Sequence, residues 1–250
     1  MGINRKTFFL FPVLFFSLAL KAQLGIWAGA TKTSVKYPSF DRFRSSYNQT
    51  NSASLKKEMP GFGLSNGFSF AVQLRANWFM GEVGADFLRG NTSAEFLNGE
   101  RRDFNLKKGV ATGGFGLGYG WQKFYIFAIG GLASGDIVIN SSFVYTDGTR
   151  SFGMEKSLNG HYHGIFLGGY YGLTSCIPIG KHIKIMLRGT HEGVSRSDSK
   201  RSASQLLEQH QARGLAGFNP QSGGLESTNI DLTGWRFFLC LHLELERDND

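Results

Sequence analysis

Cysteine, proline and long apolar runs are all scarce in this chain. Two cysteines, Cys176 and Cys240, stand among 250 residues, which excludes a dense disulfide framework. One bridge is permitted outside the cytoplasm, but the side chains must meet for it to form; two unpaired thiols are the expectation. Proline occurs 5 times, against 34 glycines and 23 phenylalanines, a balance that suits many strands joined by turns. No phosphate-binding loop, Cys/His zinc pattern or nucleophile elbow is present. The glycines Gly113, Gly114, Gly116 and Gly118 lie inside a strand pattern, not at a strand-to-helix turn. Mean hydropathy is −0.17, which by itself indicates a soluble protein, although membrane β-strands carry a faint hydropathy signal.

The apolar run Phe8–Leu20 follows Arg5 and Lys6 and precedes Lys21-Ala22-Gln23. A basic start, a short apolar centre and a small residue before the cut describe an export signal. The run is too short for a spanning helix, which needs about 20 residues. Residues 1–23 are assigned to the signal, with cleavage after Ala22. The net charge of +8 then falls to +5, because Arg5, Lys6 and Lys21 leave with the signal and no acid does. Such a surface suits anionic lipopolysaccharide or polysaccharide. Nucleic acid is excluded, since an exported chain without a basic and aromatic platform has no footprint for it.

The last strand, Gly234–Glu246, carries the clearest pattern. Trp235, Phe237, Leu239, Leu241, Leu243 and Leu245 alternate with Arg236, Cys240, His242 and Glu244. Alternate strand residues face opposite sides, so one side is apolar and the other polar, with Phe238 the large apolar intruder. A membrane barrel turns the apolar side to lipid and the polar side inward. Seven further strands are predicted at Gly25–Val35, Phe68–Trp78, Glu82–Asn91, Lys108–Trp121, Phe124–Asn140, Gly160–Ile177 and His182–Ser195. On the second of these, Phe68, Phe70, Val72 and Leu74 share the lipid-facing side. Long and short connections alternate. Phe79–Gly81, Gln122–Lys123 and Pro178–Lys181 are short, whereas Tyr37–Gly67, Thr92–Lys107, Ser141–Leu158 and Arg196–Thr228 are long and polar. A short helix is expected over Ser202–Arg213. The pattern predicts an all-β, eight-stranded antiparallel up-and-down transmembrane barrel over residues 24–246, with short periplasmic turns, long external loops and a polar tail at 247–250. Trp27, Trp78, Trp121 and Trp235 fall near strand ends and are expected at the membrane interfaces.

The signal ending Lys-Ala-Gln, the eight alternating strands and the short-long rhythm resemble small outer-membrane barrels of the OmpA/OmpX type. The Ala-Gln junction and glycine-rich strands are most similar to the Bacteroidota outer membrane protein beta-barrel domain group. One departure is the tail Arg247-Asp248-Asn249-Asp250, where such barrels often end on phenylalanine. The resemblance implies a cell outer-membrane location, a monomer without cofactor, and a structural, adhesive or envelope-accessory role, including a PorT-like accessory of type IX secretion. It also implies lipid and lipopolysaccharide as surroundings and an envelope protein as partner of the external loops.

An eight-stranded bore is just wide enough for side chains to fill. An ion-pair network of Arg75, Glu82, Asp86, Arg188, Glu192, Arg236 and Glu244 is expected to plug it, joined by Lys184 and His242. The glycine row at 114–120 is expected to make room for long arginines. His161 and His163 share one face but lack a third metal ligand. His191, Glu192 and Ser195 invite a lipid-modifying enzyme as the alternative, without diagnostic spacing. A soluble periplasmic barrel with a ligand in its cup is the other alternative. No catalytic, cofactor or metal residue is assigned, and no enzymatic activity is expected.

Overall fold

The computed structural model describes residues 23–76, 78–120, 124–151, 158–198 and 233–245, apart from the side chains of 39 and 194–198. Its elements are β1 (Gln23–Lys36), α1 (Pro38–Asn51), β2 (Leu55–Lys57), β3 (Leu64–Arg75), β4 (Phe79–Phe96), β5 (Arg101–Gly120), β6 (Tyr125–Val144), β7 (Arg150–Ser151), β8 (Gly160–Pro178), β9 (Ile183–Asp198) and β10 (Thr233–Leu245). Among the described residues, eight long strands pair antiparallel with their neighbours in chain order. β10 closes on β1, from Leu24 opposite Leu245 to Lys36 opposite Thr233. No sheet edge is left around the wall, which is what a lipid environment demands of backbone polar groups.

The register fixes the shape. A walk across paired residues from Leu173 passes Gly189, Phe237, Lys32, Asn66, Arg89, Lys107 and Val138, and returns to the same strand at His163, ten residues away. Eight strands with that stagger tilt by about 40° and enclose a backbone cylinder of roughly 8 Å radius. The connections after β3, β5 and β8, the start of β1 and the end of β10 lie at one rim, the periplasmic one. The opposite rim carries the longer excursions.

That external rim differs from the expected loops. Most of 92–107 and part of 141–158 are strand. β4, β5 and β6 run 18, 20 and 20 residues, where about ten suffice to cross a bilayer. Their outer halves stand beyond the membrane as a pleated flap. Polar residues such as Glu95, Asn105 and Lys107 sit on the outer side of these strands, while Ala94, Phe104, Leu106 and Ile139 face inward and are buried together with Thr92, Arg102, Ser141 and Ser142. The β4–β5 turn uses Asn98-Gly99, with Gly99 at φ +87° and Phe96 N donating to Glu100 O at 2.8 Å. Beyond β6, Asp147 accepts hydrogen bonds from Thr149 N at 2.8 Å and Thr149 Oγ1 at 2.7 Å. Those bonds hold its carboxyl below the usual carboxylate range.

The segment 37–67, read as a polar loop, contains α1. Pro38 opens the helix at N1 or N2, where its missing N–H costs nothing. Phe40, Phe43 and Tyr47 recur at helical spacing and are buried. Phe40 and Phe43 lie 5.6 and 5.4 Å, ring to ring, from Phe104 on β5. Asn48 clamps the following chain, donating to Met59 O and accepting from Met59 N, both at 3.0 Å. The helix therefore caps the external mouth. Burial lifts the Tyr47 hydroxyl above the ordinary phenol range, against the pull of nearby Arg102. The helix expected at Ser202–Arg213 lies outside the described residues, as do residues 1–22 and the tail at 247–250.

Candidate functional site

The bore is the candidate site, and alternation builds it. On β10 the even residues Arg236, Phe238, Cys240 and His242 are buried, while Trp235, Phe237, Leu239, Leu241 and Leu243 are exposed. Three layers of charge stack along the axis. At the periplasmic end, Arg75 Nη2 meets Glu244 Oε1 at 2.5 Å, and Lys184 bonds the same carboxylate. The guanidinium of Arg75 lies 4.4 Å from the Tyr125 ring centre. In the middle, Arg188 grips Glu82 with two parallel bonds of 2.5 and 2.8 Å, and Tyr170 Oη donates to Glu82 at 3.1 Å. Toward the outside, Arg236 bonds Asp86, and Lys108 donates to Glu192 at 2.5 Å. Arg236 Nε lies 3.5 Å from Glu192 Oε2, a charge contact without hydrogen-bond alignment.

Aromatic faces fill the space between the layers. Arg188 sits 5.4 Å over Trp27 and 5.3 Å over Phe238, so the cation gains ring-quadrupole attraction as well as its carboxylate. A void beside the Arg236–Asp86 pair measures about 10 Å³. Above it α1 closes the mouth.

The seven residues named for the network all point into the bore. The sequence reading missed Lys108, whose even number places it on the same face as Gly114, Gly116 and Gly118. It also missed Tyr125, where both strand faces are apolar, and Tyr170, where glycines blur the alternation. The eight lipid-facing residues named on β3 and β10 point outward, each 43–61% exposed. Trp78 and Trp235 also face outward at opposite rims. Trp27 is a correction. At 3% exposure it belongs to the bore, packed edge-on against Phe238 at 6.1 Å, because it shares parity with the inward-facing Gly25, Gly29 and Thr31. Trp121 lies outside the described residues.

A second correction concerns the glycine row. A Cβ on Gly114 would overlap the Tyr170 hydroxyl, and one on Gly116 would crowd Ile129 and Met80. The space admits a tyrosine and a methionine, not arginines. Replacing Gly114 with valine is expected to cost about 1–3 kcal/mol through overpacking, read as a lower urea midpoint in detergent. An unchanged midpoint would mean that Tyr170 has another place to go.

The remaining candidates separate. His161 contacts Asn140 at 2.6 Å and His163 lies 3.8 Å from Asp136, all on the outer face. Among the described residues no group of three His, Cys, Asp or Glu side chains is placed to hold a metal. His191 faces outward between Tyr171 and Trp235, with ring separations of 5.4 and 5.1 Å. Glu192 points inward to Lys108, so the two cannot act as a pair; the side chain of Ser195 lies outside the described residues. Cys176 and Cys240 are both free and buried. Outside the membrane, Arg101 and Arg150 converge on Asp103 at 2.6 and 3.2 Å. They line an open polar pocket of about 290 Å³ with Asn91, Ser93 and Asn105.

A closed antiparallel cylinder with an apolar exterior and a bore packed with paired charges defines the class: an eight-stranded, up-and-down transmembrane β-barrel. No protein-family model and no curated relative matches the chain. Among solved structures it is similar to Ail, the attachment invasion locus protein of Yersinia pestis, in complex with the heparin analogue sucrose octasulfate. There the identity is 11% and the TM-score 0.41, over 90% of this chain and 99% of that one. A structure of Ail by itself gives 12% identity and a TM-score of 0.40 over the same shares. Neisserial surface protein A gives 8% and 0.34, over 89% and 97%.

Proposed function

We propose that the chain is an exported, non-enzymatic barrel of the cell outer membrane, built to hold its external flap and cap at the surface rather than to conduct. Residues 1–23 direct export, and residues 24–246 form the barrel. What supports this reading is the stack of buried ion pairs from Arg75–Glu244 through Arg188–Glu82 to Arg236–Asp86 and Lys108–Glu192, with α1 above them. Its role is structural, adhesive or accessory to an envelope complex. The polar pocket around Asp103 and the basic outer surface are the contact regions. A type IX secretion accessory is the narrower version of the same role, with a secretion complex as partner.

Conductance in planar bilayers tests the plug. The intact chain is expected to show no steady open channel. Replacing α1 with a short glycine-serine link is expected to leave conductance absent, because the ion-pair layers lie below the cap. A large steady current from the intact chain would overturn the reading. The enzymatic alternative predicts lipid A deacylation or acyl transfer by purified protein; the outward His191 and inward Glu192 argue for none.

A further inference from the structure

We propose that the external edge of the apolar wall binds the phosphate of an outer-leaflet lipid headgroup through Lys32, Arg89 and Lys107, with Asn66 between them. This rests on the membrane-barrel reading above and assigns that barrel a specific lipid contact.

The register places the four residues on one row across adjacent strands: Lys32 opposite Asn66, Asn66 opposite Arg89, and Arg89 opposite Lys107. All four side chains are exposed. One step toward the periplasm on the outer face of each strand lie Ala30, Phe68, Phe87 and Gly109. The row therefore starts at the edge of the apolar band, and because the strands tilt, it climbs outward from there.

Two like charges directly opposite on neighbouring strands stand about 4.5–5.5 Å apart at Cβ and repel. Arg89 and Lys107 are such a pair, and Lys32 adds a third cation two strands away. None of the three has an ion-pair or hydrogen-bond partner among the described residues. The acids of the outer face nearest them have other neighbours. Asp103 holds Arg101 and Arg150, Asp136 lies by His163, and Glu95 stands opposite Arg101. A phosphate monoester supplies the missing anion. Its oxygens take the forked guanidinium of Arg89 and the ammonium groups beside it, while the acyl chains of the same molecule lie along Phe68 and Phe87. A free phosphate would gain the first set of contacts and not the second.

The test uses the full chain refolded into phosphatidylcholine vesicles. Bisphosphorylated lipid A, its dephosphorylated form and inorganic phosphate are added separately, and the midpoint of heat-modifiable unfolding is read. Bisphosphorylated lipid A is expected to raise the midpoint, and the other two to leave it nearly unchanged. The variant Arg89→Gln/Lys107→Gln is expected to bind bisphosphorylated lipid A about tenfold or more weakly. Without lipid A its midpoint should equal or exceed that of the parent, since a repulsion has been removed. Equal shifts with both forms of lipid A, or with inorganic phosphate, would overturn the proposal while leaving the barrel intact. A chain that folds but does not enter the vesicles would overturn the membrane reading and this inference with it.

Discussion

Replacing Arg188 with methionine is expected to lower the unfolding free energy by about 3–5 kcal/mol, the cost of leaving a buried charge without its partner. Arg188 and Glu82 are 3% and 2% exposed at the side chain, so neither has water to fall back on. Glu82 would keep only the Tyr170 hydroxyl as a described side-chain partner. The double variant Glu82→Gln/Arg188→Met removes both charges and keeps a polar group for that hydroxyl. It should regain most of the loss, because apolar or neutral replacements of a whole buried pair are often close to neutral. Urea midpoints in phospholipid vesicles, with heat-modifiable gel migration as the marker of folding, check both. A single variant as stable as the parent, or a double variant worse than the single, would mean that the pair does not hold the wall.

Leu239→Arg should cost about 2–4 kcal/mol in a bilayer, and Leu245→Arg, at the rim, about 0–1 kcal/mol. Both leucines face outward on β10, at 59% and 40% exposure. A charge at 239 must leave water for acyl chains or reach back along the wall, whereas one at 245 reaches the headgroups. The gradient is the diagnostic quantity. In a water-soluble barrel the same positions would already face solvent, and both substitutions would be close to neutral. Equal and small effects at 239 and 245 in vesicles would therefore contradict a lipid-facing wall.

Alternation made the two faces of the long strands readable before any fold was known. Once Phe237, Leu239 and Leu241 are taken as outward, Arg236 and His242 have no other side to occupy. The same parity on β9 sends Ile185 and Leu187 outward and Lys184, Arg188 and Glu192 inward. Parity also contained Trp27 and Lys108, which were lost when nearness to a strand end or to an apparent loop was weighed above it. α1 was legible in the spacing of Phe40, Phe43 and Tyr47, but the serines and basic residues around them made the segment look like a polar loop. On β6 the run Tyr125–Ile129 is apolar on both faces, so no pattern of one strand could say that Tyr125 and Phe127 fill the bore.

By itself, the sequence determined the class of wall: period-two alternation gives every strand an apolar and a polar side, and only a closed cylinder satisfies eight of them in lipid. The tertiary structure alone decided who meets whom. Pairing Arg188 with Glu82, 106 positions apart, and aligning Lys32 with Arg89 and Lys107 depend on the stagger of the strands. A two-residue change of register would redistribute these contacts while keeping each strand's apolar face outward, whereas a one-residue slip would turn that face inward. The extension of β4, β5 and β6 past the membrane was decided in the same way, because paired backbone and an inward row of Phe104, Leu106 and Ile139 can continue a sheet into water where composition suggests a loop.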